Sequence, residues 1–331
     1  HIALALKRLG DTNTANAIVR SLKERSVTDA ELGRFWRDTE LSWWWYRAPI
    51  ETHALMIEAF AEIANDTEAV EECKVWLLKQ KQTQDWKTTK ATADAIYALL
   101  LRGQNFLENN QLVEISVGNI RLTPDSSQST ERGGTEPAAA EPGTGFFERR
   151  FASTEVKPDM SRITVRKTSD GIAWGSVHWQ YFEDIGKIAP YEGTPLKLRK
   201  ALFTKVNTSS GPVLKPVTGP VSVGDELVVR IELKVDRDME YVHLKDHRGS
   251  GVEPVNVLSR YKHQDGLGYY ESTRDTASHF FIDYLPKGTY VFEYPVRVQH
   301  RGEYQTGVAS IQCLYAPEFN SHSESFMLKV K

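Results

Sequence analysis

The first hundred residues alternate between two kinds of apolar pattern, both at helical spacing. Residues 50–63 (IETHALMIEAFAEI) are apolar on nearly every side, as a helix enclosed by its neighbours must be. Residues 67–80 place Val70, Cys73 and Leu77 on one stripe and Glu71, Glu72, Lys74 and Lys79 on the other, which predicts an amphipathic outer helix. Residues 2–9 and 14–23 repeat this scheme, and 92–102 (TADAIYALLLR) predict a third inner helix. Alanine–leucine stretches ending near Gly10, Ile63 and Gly103 recur about every 40–55 residues, the range of helical-hairpin repeats. The pattern predicts an α/α arrangement, a toroid or solenoid cut off at its start.

Past Leu107 the period falls to two. Leu112, Glu114 and Ser116 alternate with Val113, Ile115 and Val117, and then residues 126–145 (SSQSTERGGTEPAAAEPGTG) contain almost no bulky apolar side chain. Such a stretch cannot offset its own ordering entropy, so a mobile loop is expected over 123–145. Strand-like patterns resume at 146–151, 162–167 and 172–181, making a small β region.

The last part carries the clearest alternation. Leu227, Val229, Ile231, Leu233 and Val235 point one way while Arg230, Glu232 and Lys234 point the other, and Tyr290, Phe292, Tyr294, Val296 and Val298 do the same. Further strands are expected at 196–205, 241–244, 279–284, 308–315 and 326–330, separated by turn signals at Pro220, Gly224 and Pro286 to Gly288. About seven short strands over ~140 residues predict a β-sandwich. The expected architecture is multidomain α and β: a partial α/α toroid over 1–108, a small β domain over 109–186 and a C-terminal antiparallel β-sandwich over 187–331.

Composition adds limits. The 331 residues exceed what one core organises. A formal charge of −3 with no basic stripe gives no support to nucleic-acid binding. No apolar run approaches the roughly 18 residues of a membrane span, and no leader pattern opens the chain. His1 falls inside a helical pattern without an initiator Met, so a fragment of a longer protein is expected. Two widely separated cysteines, Cys73 and Cys313, supply neither a disulfide framework nor a CxxC metal site.

Candidate chemistry is sparse. His243, Asp246 and His247 have a spacing that converges on a helix, but the segment reads as strand and turn, so no metal site is assigned. There is no G-x-S-x-G elbow to focus a choice among nine histidines, and Gly133–Gly134 falls in low-complexity sequence rather than in a phosphate loop. Asp236 and Asp238 read as a solvated hairpin end. Cys73 and Cys313 read as inert core thiols, with Cys313 alternating with Ala309, Ile311 and Tyr315 on one strand face. Trp43, Trp44, Trp45 and Tyr46 could line a cleft, but consecutive residues fan around a helix, so core packing is the preferred reading for at least two of them. No catalytic residue and no cofactor is assigned.

Two stretches resemble a known family. Residues 289–323 (TYVFEYPVRVQHRGEYQTGVASIQCLYAPEFNSHS) are similar to the last domain of bacterial alpha-2-macroglobulins, keeping Arg297, Gly302, Tyr304, Tyr315, Pro317 and Glu318 of its pattern. IETHALMIEAFAEI and WKTTKATADAIYALLLRG resemble the end of the thioester domain of the same proteins, an α/α toroid. The order of domains also matches: toroid, returning half of a CUB-like β domain, then a macroglobulin-like sandwich.

The resemblance implies part of an envelope or periplasmic protease trap, not an enzyme, in which a protease cuts a bait region and a Cys–Gln thioester captures it. Proteases and the upstream macroglobulin-like domains would be the partners, in a monomer that a lipoprotein anchor could tie to the membrane. No Cys-x-Glu-Gln motif occurs in this chain, so neither thioester nor bait region is expected within it. Leu314 stands where the family pattern often has Met, with Ser310 and Gln312 on the face opposite Cys313. An apolar residue on a polar face suggests an interdomain contact made by Leu314 and Tyr315. The competing readings are a glycan-active toroid enzyme using Trp43 to Trp45 and Glu51, and an adhesion module whose sandwich binds a partner.

Overall fold

The computed structural model describes residues 1–40, 47–101, 113–122, 148–168 and 175–331. The tryptophans Trp43, Trp44 and Trp45, Tyr46 and the loop expected at 123–145 lie outside the described residues. Compactness divides the chain into two units: His1–Leu77 with Thr88–Ser176, and Leu78–Lys87 with Val177–Lys331. No helix among the described residues is long and apolar enough to cross a membrane.

The first unit opens with α1 (Ile2–Arg8) and α2 (Thr12–Glu24). Asp11 starts α2 by accepting the amide of Thr14 at 3.0 Å, one of the donors a helix N-terminus leaves unmet. A hairpin absent from the sequence reading follows, β1 (Val27–Asp29) and β2 (Gly33–Phe35), then a short α3 (Arg37–Glu40). Asp29 closes its turn by accepting the amides of Glu31 and Leu32, both at 2.8 Å.

The expected inner helix is α4 (Pro49–Ala59), continued by a π-helical turn (Phe60–Ala64). No residue from Ile50 to Ile63 is exposed, which agrees with its all-round apolar pattern. Pro49 fits the first helical position because its missing N–H would have no partner there. Asn65, at φ 50°, ends the segment in the left-handed conformation that asparagine tolerates.

Helix α5 (Thr67–Thr83) buries Val70, Cys73, Trp76 and Leu77. Lys74 does not take the polar face as its charge suggested, for its side chain is 0 % exposed and its ammonium lies 3.4 Å from Glu71. The buried stripe is wider than Val70–Cys73–Leu77, and a lysine's methylene stem packs along it. His53 sits at the centre of this core, stacked on Trp76 (4.2 Å between centroids) and edge-on to Trp36 (5.6 Å).

Helix α6 (Thr89–Leu101) buries Ala91, Ala95, Ala98 and Leu99 but exposes Ile96, Tyr97 and Leu100. The expectation of an inner helix therefore fails on one face. The unbroken apolar run from Ala95 to Leu101 does not show which side a neighbour covers.

The rest of this unit is a three-stranded sheet in the order β4–β3–β5: β3 (Glu114–Val117), β4 (Ile120–Leu122) and β5 (Ile163–Arg166). The expected strand at 162–167 is present. The described parts of the other two, 148–151 and 175–181, are irregular; every residue of 175–181 is exposed, so Val177, Trp179 and Tyr181, which belong to the second unit, show no alternation of burial. Alternation alone makes no strand, because the backbone needs a hydrogen-bonding neighbour.

The second unit is an antiparallel sandwich, as expected, with thirteen strands rather than about seven. One sheet runs β10–β14–β8–β6–β7, from β6 (Leu196–Thr208), β7 (Gly211–Pro216), β8 (Glu226–Val235), β10 (Val252–Pro254) and β14 (Gly288–Val298). The other runs β11–β12–β13–β9–β16–β17, from β9 (Met239–His247), β11 (Arg260–Gln264), β12 (Leu267–Thr273), β13 (Ala277–Leu285), β16 (Ala309–Cys313) and β17 (Asn320–His322). A separate pair joins β15 (Gly302–Gln305) to β18 (Met327–Val330).

In β8 the buried residues are Leu227, Val229, Ile231, Leu233 and Val235, and in β14 they are Phe292, Tyr294, Val296 and Val298, the alternation read from the sequence. These meet Val242, Leu244, Phe280, Ile282 and Ile311 of the facing sheet in one continuous core. Of the extra strands, β7, β10, β11 and β17 are sheet edges and β15 pairs with β18, whereas β12 (Leu267–Thr273) lies inside its sheet between β11 and β13.

Candidate docking corner

Strands β9, β13 and β16 lie side by side in the order β13–β9–β16, and β9 begins where β16 ends, at one corner of the sandwich. Cys313 is the last residue of β16, and its amide donates to the carbonyl of Phe319 at 3.0 Å. Ala316 (3 % exposed) and Phe319 (6 %) anchor the hairpin between β16 and β17 in the core. Asn320 Nδ2 donates to the Pro317 carbonyl at 2.8 Å, and Arg237 lies over the Phe319 ring at 5.6 Å.

This hairpin presents Leu314 and Tyr315 outward, 52 % and 80 % exposed. Tyr315 does not share the buried face of Cys313, because the strand stops one residue before Leu314 and the alternation stops with it. Leu314 lies on the exposed side with Gln312.

The neighbouring strand completes the corner. The amide of Leu314 donates to the Tyr241 carbonyl at 2.9 Å, and the Tyr241 ring meets Tyr315 edge-on, 5.3 Å between centroids at 88°. Tyr241 has φ 55°, a conformation costing on the order of 1–3 kcal/mol for a bulky side chain.

One residue earlier, Glu240 is nearly buried. Its carboxylate accepts the amide of Asp85 at 3.2 Å and pairs with Lys87, and its backbone carbonyl accepts the Cys313 thiol at 3.3 Å. Gln82 Nε2 donates to Glu318 Oε1 at 3.4 Å. Residues 82–87 thus make polar contacts on both sides of the exposed pair.

Asp238 is more than a solvated turn residue. It accepts the Tyr284 hydroxyl at 2.5 Å and the Lys287 amide at 2.7 Å, tying the β8–β9 turn to the end of β13. Asp236 stays at the surface, bonded by Arg237 Nε at 2.9 Å.

The other sequence candidates do not converge. On β9 the even positions point inward, so Asp246 is buried against Lys200 while His243 points outward. His243 Nε2 and His279 Nδ1 lie 2.9 Å apart, and Phe281 stacks on His243 at 4.6 Å between centroids. Burial, and then the Lys245 charge, hold the His243 imidazole below its ordinary range.

Cys73 and Cys313 are both buried, and burial pushes both thiols up, away from the thiolate form a nucleophile needs. Glu51, in the first turn of α4, accepts the Thr88 hydroxyl at 3.3 Å. Tyr241, Glu240 and residues 82–87 went unnoticed in the sequence. The signals for this corner were an apolar residue on a polar strand face, Leu314, and the family pattern at Tyr315, Pro317 and Glu318.

Comparison with known proteins bears on the same region. The family described as Bacterial Alpha-2-macroglobulin MG10 domain matches residues 196–318, a span that includes β16 and the corner hairpin as far as Glu318, short of Phe319 and β17. An "Alpha-2-macroglobulin homolog" of Nostoc sp. is 22% identical over 295 residues, covering 84% of this chain. The chain spans 14% of the length of that relative.

Among solved structures, trypsin-activated alpha-2-macroglobulin of Escherichia coli matches 99% of this chain at 12% identity and a TM-score of 0.40, over 21% of its own length. The same organism's alpha-2-macroglobulin activated by porcine elastase matches 86% at 13% identity and 0.39, over 24% of its length.

Proposed function

We propose that this chain, which corresponds to the C-terminal region of a bacterial alpha-2-macroglobulin with the MG10 domain in residues 196–318, is the docking and conformational-response end of a non-catalytic protease trap. The observation that carries the reading is the β16–β17 hairpin. It is pinned to the core by Ala316 and Phe319 and displays a leucine and a tyrosine where a strand end normally shows polar groups.

The occupant of that display is the thioester-type helical domain of the same protein. Leu314 and Tyr315 press on it and exclude water until a protease cuts the bait region, which lies in the full-length protein outside this chain. Burying a leucine contributes about 1.5–3 kcal/mol. Such a contact holds a resting state and still yields to a conformational change. Proteases are then the partners of the whole protein, which works as a monomer in the periplasm or on the envelope.

The test is Leu314→Asp in the full-length protein. A charge at this contact is expected to undock the two domains, raising cleavage by a trace of protease and lowering the unfolding midpoint. Retained proteases should fall in proportion. Unchanged midpoint and unchanged cleavage would overturn the reading.

A further inference from the structure

We infer that Tyr241 is the positioning residue of this corner, holding the Tyr315 ring in its outward pose; the inference rests on the docking reading above and deepens it. Among the described residues, five that are not glycine have positive φ: Ala48, Asn65, Lys87, Tyr241 and Asp265. Ala48 precedes a helix, Asn65 ends one, Lys87 stands in a loop, and Asp265 forms the β11–β12 turn with Gly266. Tyr241 alone lies inside a strand. A tyrosine has no short polar group with which to make the conformation locally favourable, so its surroundings must impose it.

Those surroundings can be named. Val242, which follows Tyr241, is 1 % exposed in the sandwich core. Glu240, which precedes it, is held by the Asp85 amide and by Lys87. The Tyr241 carbonyl receives the Leu314 amide, and this fixes the start of the hairpin against β9. With both flanks fixed, the side chain is turned onto Tyr315, edge to face.

Glycine would meet the backbone requirement without strain. What tyrosine adds is the ring, and that ring's aromatic contact is with Tyr315. Edge-to-face pairs have a preferred geometry, so an otherwise exposed phenol acquires a defined orientation. The Tyr315 ring is thereby pre-set rather than swept through its rotamers, which lowers the ordering cost when it docks.

Glycine at this position separates the two roles. Tyr241→Gly removes the ring and relieves the backbone, so a merely structural Tyr241 predicts an unchanged corner and an equal or higher unfolding midpoint. The chain is labelled with fluorotyrosine, and the Tyr315 line is assigned by its loss in Tyr315→Phe. In the parent chain and in Tyr241→Phe that line should stand displaced from free fluorotyrosine by the neighbouring ring. In Tyr241→Gly it should collapse onto the free position while the midpoint does not fall. A line that stays displaced in Tyr241→Gly overturns the inference. The docking reading fails separately, when Leu314→Asp leaves cleavage of the full-length protein unchanged, and the spectrum still decides the role of Tyr241.

Discussion

Lys200 on β6 and Asp246 on β9 meet at 2.6 Å inside the sandwich, with 2 % and 0 % of their side chains exposed. The ammonium also donates to the carbonyls of His247 and Thr306, both at 2.9 Å, and of Gly307 at 3.2 Å. Tyr294 donates its hydroxyl to the other carboxylate oxygen. Burial opposes both charges, pulling the lysine down and pushing the aspartate up. The full set of partners lets the ion pair persist there. The pair links the two sheets and fixes the chain just before β16, whose far end carries Leu314.

Lys200→Met should therefore destabilise the sandwich by about 3–5 kcal/mol, because it strands a buried carboxylate and three carbonyls. Pairing it with Asp246→Asn should recover part of that loss. Urea unfolding of the three variants measures the coupling, and strictly additive losses would mean that the two residues do not act together.

Gly33 offers a sharper steric case. A Cβ placed there would stand 2.2 Å from the Glu72 carbonyl oxygen, and φ is +76°. Since the obstacle is backbone of α5 and cannot rotate away, Gly33→Ala should cost about 3 kcal/mol or more in the helical unit. Gly10→Ala, at φ +97° with nothing within 4 Å, isolates the backbone strain alone and should cost about 1 kcal/mol. Thermal unfolding of the two variants compares them directly.

These examples also mark where sequence patterns run out. Enclosure shows on nearly every side of α4, and one-sided burial shows in the alternation of β8 and β14, so those elements could be read directly. The β1–β2 hairpin has three residues per strand, shorter than any period can register. Lys74 was placed by its charge, whereas the width of the stripe on α5 decided its burial. Leu314 stood out because its type contradicted its face. Tyr315 was placed on the Cys313 face because nothing in the letters says that β16 ends there. Tyr241 carries no signal, since positive φ shows in sequence as glycine or asparagine and here falls on an aromatic.

His53 makes the helical unit sensitive to acid. Burial holds its imidazole neutral, with a pKa lowered to about 4, while Nε2 bonds to the Cys73 carbonyl at 2.9 Å. In the unfolded chain the same group takes up a proton near pH 6.5. Between these values the unfolded state binds the extra proton, so stability falls as pH falls from about 6.5 towards 4, by about 3 kcal/mol at most. Denaturant unfolding at pH 7 and pH 4.5 should show this loss, and His53→Phe should flatten the difference between the two. An equal pH dependence in that variant would assign the effect to other groups.

Glu240 yields the last prediction, since its two oxygens face different kinds of partner. One accepts the Asp85 amide at 3.2 Å, and the other pairs with Lys87, whose side chain is 58 % exposed. A backbone amide loses its partner outright if the acceptor goes, whereas a half-exposed lysine is screened by solvent and salt. Glu240→Gln keeps an acceptor for Asp85 and removes only the charge, so it should cost about 1 kcal/mol or less and match Lys87→Met. Glu240→Ala removes both and should cost about 2 kcal/mol, with faster hydrogen exchange at the Asp85 amide. Raising the salt to 1 M should erase the cost of Glu240→Gln and leave that of Glu240→Ala. If both variants respond to salt alike, the charge rather than the amide bond holds residues 82–87 at the corner.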